Sequence, residues 1–220
     1  NIDNTGNAII NNGDQNTNFR YGTTSDTYSI FAIAMAIDAY VPETEGVLTT
    51  TTINNLPAVA PFEVLPGQDA GFSIDIRNLG TEAINNYKVI VPVPYNASYV
   101  PGSASGTLYY TTPNTTITGS FDPSLGSTGS IVWDFGTLPL PVNPSVLLAK
   151  LTFKLKATTD CAILNNASCA STIAITGNSI GKGNTTNVDL RNSNLIQGFT
   201  QNGSCLGEPI PTPLNLGING

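Results

Sequence analysis

Large apolar and polar residues alternate with period two along much of this chain, most clearly between residues 64 and 80. Phe72, Ile74 and Ile76 point one way there and Ser73, Asp75 and Arg77 the other, the mark of a strand with one buried face. Pro66 and Gly67 form a leading turn, and Asn78-Leu79-Gly80 closes the strand with turn residues. The same period places Val89, Val91 and Val93 on one face of residues 87–94, and Ile131, Trp133 and Phe135 on one face of residues 131–135. In residues 146–157, Leu151, Phe153 and Leu155 face inward while Thr152, Lys154 and Lys156 face outward. Residues 47–53, 108–110, 115–121, 171–176 and 194–200 add shorter strands, and residues 208–214 read as an extended, proline-punctuated tail. Pro92 and Pro94 cannot donate ladder hydrogen bonds, so strand 87–94 should run along an edge or leave its sheet there.

Strands separated by turn clusters, with no long helical pattern, predict an all-β fold. Its form is an immunoglobulin-like antiparallel β-sandwich with β-rich N- and C-terminal flanks, a candidate second small β domain. The expected division is an N-terminal polar segment with an Ala-alternating strand (1–57), the sandwich (58–160), and a Cys-containing β extension with a Pro-rich tail (161–220). Phe72, Ile74, Ile76, Trp133 and Phe153 are the expected core anchors. Trp133, the only tryptophan, has a second reading as a carbohydrate-stacking platform, as do Tyr109 and Tyr110.

In residues 28–40, Phe31, Ile33, Met35 and Ile37 alternate with Ala32, Ala34, Ala36 and Asp38. Alanine favours helix, but strict large–small alternation is a strand pattern. That strand either joins this chain's own sheet or is donated to a neighbouring subunit.

Composition narrows the chemistry. Charged residues make up 10% of the chain, against about 25% in ordinary globular domains, and Asn, Thr, Ser and Gly take their place. A net charge of −7 with eight Lys plus Arg excludes a nucleic-acid surface. The absence of histidine removes the commonest general base and metal ligand, and with it any Ser-His-Asp or Cys-His arrangement within the chain. The carboxylates Asp69, Asp75, Glu82, Asp122, Asp134 and Asp160 are scattered over turns and outward positions, so no catalytic residue is assigned. Asp3 and Asp14 lie in Asn- and Gly-rich stretches that carry calcium-type oxygen ligands. Ala8 stands where a loop glycine belongs, and turn chemistry is the competing reading. No cofactor is otherwise expected. Cys161, Cys169 and Cys205 form an odd set. The first pairing considered is Cys161–Cys169 around an Asn-Asn hairpin turn, the second Cys169–Cys205, and the third reading leaves all thiols unpaired. Asn96, Asn114, Asn166, Asn184 and Asn202 stand in Asn-X-Ser/Thr sequons, which so Asn- and Thr-rich a chain produces by chance. No stretch is long and apolar enough to span a membrane, and the chain reads as a mature or excised piece of something longer.

Several motifs in order carry a resemblance. Leu65-Pro-Gly-Gln-Asp69 followed by Phe72-Ser-Ile-Asp-Ile-Arg-Asn-Leu-Gly80 resembles the opening of a conserved immunoglobulin-like repeat of bacterial surface proteins. Asn86 to Pro94, Tyr99-Val-Pro-Gly-Ser103, Val132 to Leu138 and Leu151 to Lys156 continue it, covering about residues 60–160. Asp160-Cys161, Ile196-Gln-Gly-Phe199 and Gly203 to Ile210 resemble the flanks of giant gliding-motility adhesins of the Bacteroidota, the SprB type. The resemblance implies an extracellular, surface-exposed structural or adhesive repeat of a long protein exported by type IX secretion, without catalytic residues. Its implied partners are neighbouring repeats of the same fibre and surface polysaccharide. The alternatives are a filament subunit assembled by strand donation through residues 28–40, and a carbohydrate-binding module.

Overall fold

Turn chemistry decides where each strand of this protein stops. β1 (Thr44–Ile53) turns at Asn54 and Asn55 into β2 (Leu56–Pro57). Both asparagines have positive φ, 49° and 63°, a region that asparagine tolerates better than β-branched residues do. β3 (Glu63–Val64) leads through the Pro66–Gly67 turn to β4 (Asp69–Asn78). There follow β5 (Ile84–Pro92), β6 (Ala97–Tyr99), β7 (Ser105–Leu108), β8 (Thr115–Thr118), β9 (Ser120–Asp122), β10 (Ser130–Leu138) and β11 (Ala149–Ala157). One helical turn, α1 (Cys161–Leu164), precedes β12 (Thr172–Ile175), β13 (Asn178–Gly183), β14 (Ile196–Asn202), β15 (Cys205–Pro211) and β16 (Leu214–Ile218).

The structure, a computed structural model, describes residues 39–165, 172–191 and 193–219, with positions 14, 16, 18, 20, 22, 24, 25, 27 and 29. Residues 1–38 and 39–220 are separate compact units, and all the strands named above belong to the second.

Three sheets share one core. The largest runs β15-β14-β1-β4-β11-β7-β8, with β2 paired to β1 and β6 to β11. The second runs β13-β5-β10-β9 and the third β12-β16-β3. Phe72, Ile74 and Ile76 of β4 are buried with Leu151, Phe153 and Leu155 of β11, and they face Val89, Val91, Ile131 and Trp133 of the second sheet in one cluster. Trp133 meets Phe153 edge-on, with centroids 5.8 Å apart, and Phe153 stacks on Phe72 at 5.2 Å. The indole Nε1 donates to the Ser105 carbonyl at 3.2 Å, so its one polar atom is satisfied inside the core. This is an all-β sandwich.

Gly119 alone separates β8 from β9, so the chain crosses there from the first sheet to the second and closes that side of the sandwich. A Cβ on Gly119 would sit 2.7 Å from the Trp133 ring. On the opposite side the outermost strand, β15, carries Pro209 and Pro211.

The five ion pairs among the described residues each join residues that the sheet register sets opposite one another. They are Glu45–Arg77, Lys88–Asp134, Asp75–Lys150, Asp69–Lys156 and Lys182–Asp189. Like-charged or misplaced neighbours in a slipped register would forfeit all of them.

The sandwich has two poles. Residues 39–43, 79–83 and 139–148 gather at the first, where Thr44 pairs with Asn78, Ile84 with Leu138, and Leu148 N–H donates to the Ile76 carbonyl. The turns 54–55, 65–68 and 158–160 gather at the second, where Asn54 N–H reaches the Asp69 carbonyl and Gly67 N–H the Ala157 carbonyl. β1 begins at the first pole. β16 lies parallel to β3 and runs toward the second.

Four expectations change. Strand 87–94 is not an edge strand, because β13 pairs with its outer side; it leaves the sheet at Pro92, its last residue. β13 was hidden in a Gly- and Asn-rich stretch, and what holds it is the buried Tyr87 hydroxyl, 2.9 Å from Ser179 Oγ. Burial pushes that phenol up to about 12, against the pull of Ser179 and Thr44. The boundaries at 57/58 and 160/161 do not divide compact bodies, since β1 joins β4, β13 joins β5, and Ile173, Leu214 and Leu216 enter the common core. The flanking strands β1 and β12 to β16 thus belong to the same unit as the sandwich, while residues 1–38 are a unit of their own. Finally, Cys161 does not lie on a hairpin strand: Asp160 accepts from Ala162 N–H at 2.8 Å and caps α1 there.

Trp133→Ala should cost about 3–5 kcal/mol in urea unfolding, the range for emptying a large aromatic site. Gly119→Val should also lower the urea midpoint strongly although it only adds apolar atoms, because the Trp133 ring has nowhere to move. A midpoint unchanged by Gly119→Val would show that the crossing is not packed as described.

Candidate functional surfaces

The scattered carboxylates prove to be structural ligands of their own neighbourhoods. Asp69, Asp75 and Asp134 face Lys156, Lys150 and Lys88 at 3.7, 3.0 and 2.8 Å. The Lys88 ammonium, then the Gly136 N–H, hold the Asp134 carboxyl below the usual carboxylate range. Asp122 accepts from Ser124 Oγ at 2.6 Å and Ser124 N–H at 2.9 Å, which lowers it likewise. Asp160 caps α1.

Glu82 is the exception in burial. Its residue is 3% exposed at the first pole, and its carboxylate closes on the turn after β13. Oε2 accepts from Thr185 N–H at 2.7 Å and Thr186 N–H at 3.1 Å, while Oε1 accepts from Thr186 Oγ1 at 2.6 Å. Burial alone would raise this acid. The hydroxyl and the two amides outweigh it and leave the carboxyl below its ordinary value of 4.5. The sequence offered no sign of this clasp, because its partners are 103 and 104 residues away.

Trp133 is 0% exposed and cannot stack on a sugar. Tyr109 is exposed, whereas Tyr110 is half-buried and its phenol is raised by burial. A different aromatic pair forms the surface groove: Tyr99 and Phe121 stack at 5.5 Å with an interplanar angle of 16°. With Val93, Ala97, Ser98 and Pro101 they line a shallow, uncharged cavity of about 360 Å³. The first pole carries the exposed apolar side chains Leu140, Val142 and Val146 on the loop between β10 and β11.

The remaining expected positions fall as follows. Phe31, Ile33, Met35 and Ile37 lie outside the described residues, as do Asp3 and Cys169. Asp14 is exposed, and among the described residues no three His, Cys, Asp or Glu side chains gather as a metal site. Cys161 and Cys205 are exposed free thiols, one on α1 and the other at the tip of the β14–β15 hairpin. Asn96 is 1% exposed and donates to the Thr172 carbonyl at 2.8 Å, so that sequon is closed to modification, whereas Asn114, Asn184 and Asn202 are exposed.

No protein-family model matches the chain, and no curated protein does. The resemblance over residues 60–160 therefore stands on its motifs alone. Solved structures are similar in part. The full-length major pilin SpaD of Corynebacterium diphtheriae aligns at a TM-score of 0.45 and 12% identity, over 70% of this chain and 33% of its own. A membrane anchored protein of the same organism aligns at 0.38 and 13%, over 81% of this chain and 36% of its own. The collagen binding domain of the Erysipelothrix rhusiopathiae surface protein RspB aligns at 0.37 and 12%, over 82% and 60%. This chain thus spans about a third of the first two and three fifths of the third. Likenesses at these values carry nothing about binding or activity.

Glu82→Gln should cost about 1.5–3 kcal/mol at neutral pH, the worth of hydrogen bonds to a buried charge. The folded pKa lies below the unfolded one, so the clasp's contribution is complete above the ordinary value of 4.5 and fades as pH falls through the lower folded value. Urea titrations should therefore show the gap between the two proteins closing in acid. A gap that is constant with pH would refute the assignment.

Proposed function

We propose that this chain is a non-catalytic structural module of a large secreted bacterial surface adhesin, a β-sandwich spacer in a fibre that touches surfaces. Gliding motility or surface attachment is the setting its sequence motifs imply. One observation carries the reading: β1 starts at one pole of the sandwich and β16 runs out toward the other. Sandwiches with that path can be strung end to end without the chain doubling back. The sparsely charged, Asn- and Thr-rich surface and the carboxylates engaged in turns and strand pairs support it. Among the described residues no helix is long and apolar enough to cross a membrane. The carbohydrate-binding alternative now rests on the Tyr99–Phe121 groove and Tyr109, not on Trp133.

Antibodies raised against the folded chain should label intact cells of the source organism, and mild protease treatment of those cells should release the epitope. Labelling that needs cell lysis would overturn the reading. In a glycan array, binding abolished by Tyr99→Ala with the fold intact would instead establish the carbohydrate-binding alternative.

A further inference from the structure

We propose that the sandwich is a mechanical clamp in which tension along the molecule pulls β1 and β4 lengthwise past each other. The strand directions dictate this. Pulling on the chain ahead of Thr44 draws β1 toward the first pole. β4 is drawn the opposite way, because its start is joined by the short turn 65–68 to β3, and β3 lies alongside β16. β16 is held between β3 and β12 with Leu214 and Leu216 buried, and Asn219 N–H donates to the Val64 carbonyl. Force entering at one pole and leaving at the other therefore passes from β1 into its two neighbours. One is β4, which continues through β3 to β16, and the other is β14, which pairs with β1 in parallel and leads through β15 to β16; neither route uses the second sheet.

In that geometry the β1–β4 hydrogen bonds lie across the direction of pull and must fail together. If the same strands were peeled from one end, the bonds would break one after another, at much lower force. The pairing is also longer than the strand. Beyond Thr44, Leu79 and Gly80 N–H groups both donate to the Glu43 carbonyl at 3.0 Å, and Thr81 N–H donates to the Val41 carbonyl at 3.0 Å. Thr81 Oγ1 accepts from Val41 N–H at 2.8 Å and donates to the Ala39 carbonyl at 2.9 Å. Gly80 permits the approach, since a Cβ there would strike the Val41 carbonyl oxygen and lie 2.7 Å from Glu43 N. Glu45 and Arg77 add an ion pair at 3.0 Å across the same two strands. The segment that first meets the pull is thus the one most densely tied down. This inference rests on the spacer reading for its purpose, though the clamp itself is a property of the fold.

Single-molecule force spectroscopy tests it on the full 220-residue chain. Tethering by the two chain ends loads β1 against β4 lengthwise. Tethering by a handle at Asn55 and the C-terminal end pulls both points from the second pole and peels β1 from β4. The end-to-end geometry should require several-fold more force at equal loading rate, because forced unfolding reports the barrier and not the equilibrium. Thr81→Val should lower the end-to-end force and leave the Asn55 geometry unchanged, and Gly80→Val is the second variant with the same expectation. Equal forces in the two geometries, or a variant that lowers both equally, would overturn the clamp. Surface labelling of cells judges the spacer reading separately, so the two can fail independently.

Discussion

The contact between Trp133 and Phe153 is the constraint on which the sandwich depends. Two sheets about 10 Å apart leave room for one interdigitated layer of side chains, and the largest pair in that layer sets its thickness. Once the indole lies edge-on to Phe153, with Phe72 stacked behind, little else nearby is free to be large. The crossing strand must pass the indole with no side chain at all, hence Gly119. Ser105 must place a carbonyl where Nε1 can reach it. Aliphatic residues fill the remaining space, and several of them come from the flanks, Ile173 and Leu216 among them.

Charge has a different task here. With few ionic groups on the surface, most of the lysines and arginines seen in strands face a registered carboxylate across the ladder. Each exposed pair contributes only about 0.2–1 kcal/mol, so they do little for stability and more for alignment. A threonine-rich strand such as β1 has little apolar contrast to fix its register, and Glu45 opposite Arg77 helps supply what its side chains lack.

Legibility in the sequence followed the same physics. β4, β10 and β11 were readable because each alternates large apolar with polar residues, which only a strand with an inner face explains. β13 was not, because Asn178 to Gly183 contains one large apolar residue, Ile180, and it points outward at 44% exposure. That strand is recruited by a tyrosine hydroxyl on its neighbour, a tertiary cause with no local trace. Of the two readings of Pro92, the strand leaving its sheet holds and the edge does not: a proline at a strand's last residue removes no bond from the interior, so it marks an end and not a side. The Glu82 clasp was equally silent, since a single glutamate in a turn resembles any solvated acid until its distant loop arrives. The poles were legible least of all, because they depend on how every strand is ordered.

Pro209 and Pro211 on β15 bear on what many copies would do side by side. An outermost strand with free amides is a template on which a second molecule can grow a sheet, and a dense carpet of such molecules would set into a mat. Each proline deletes one of those amides, and both are exposed on a strand that, among the described residues, pairs only with β14. Molecules crowded together would therefore resist fusing along this edge, at a packing density that would join sandwiches whose β15 lacked the prolines.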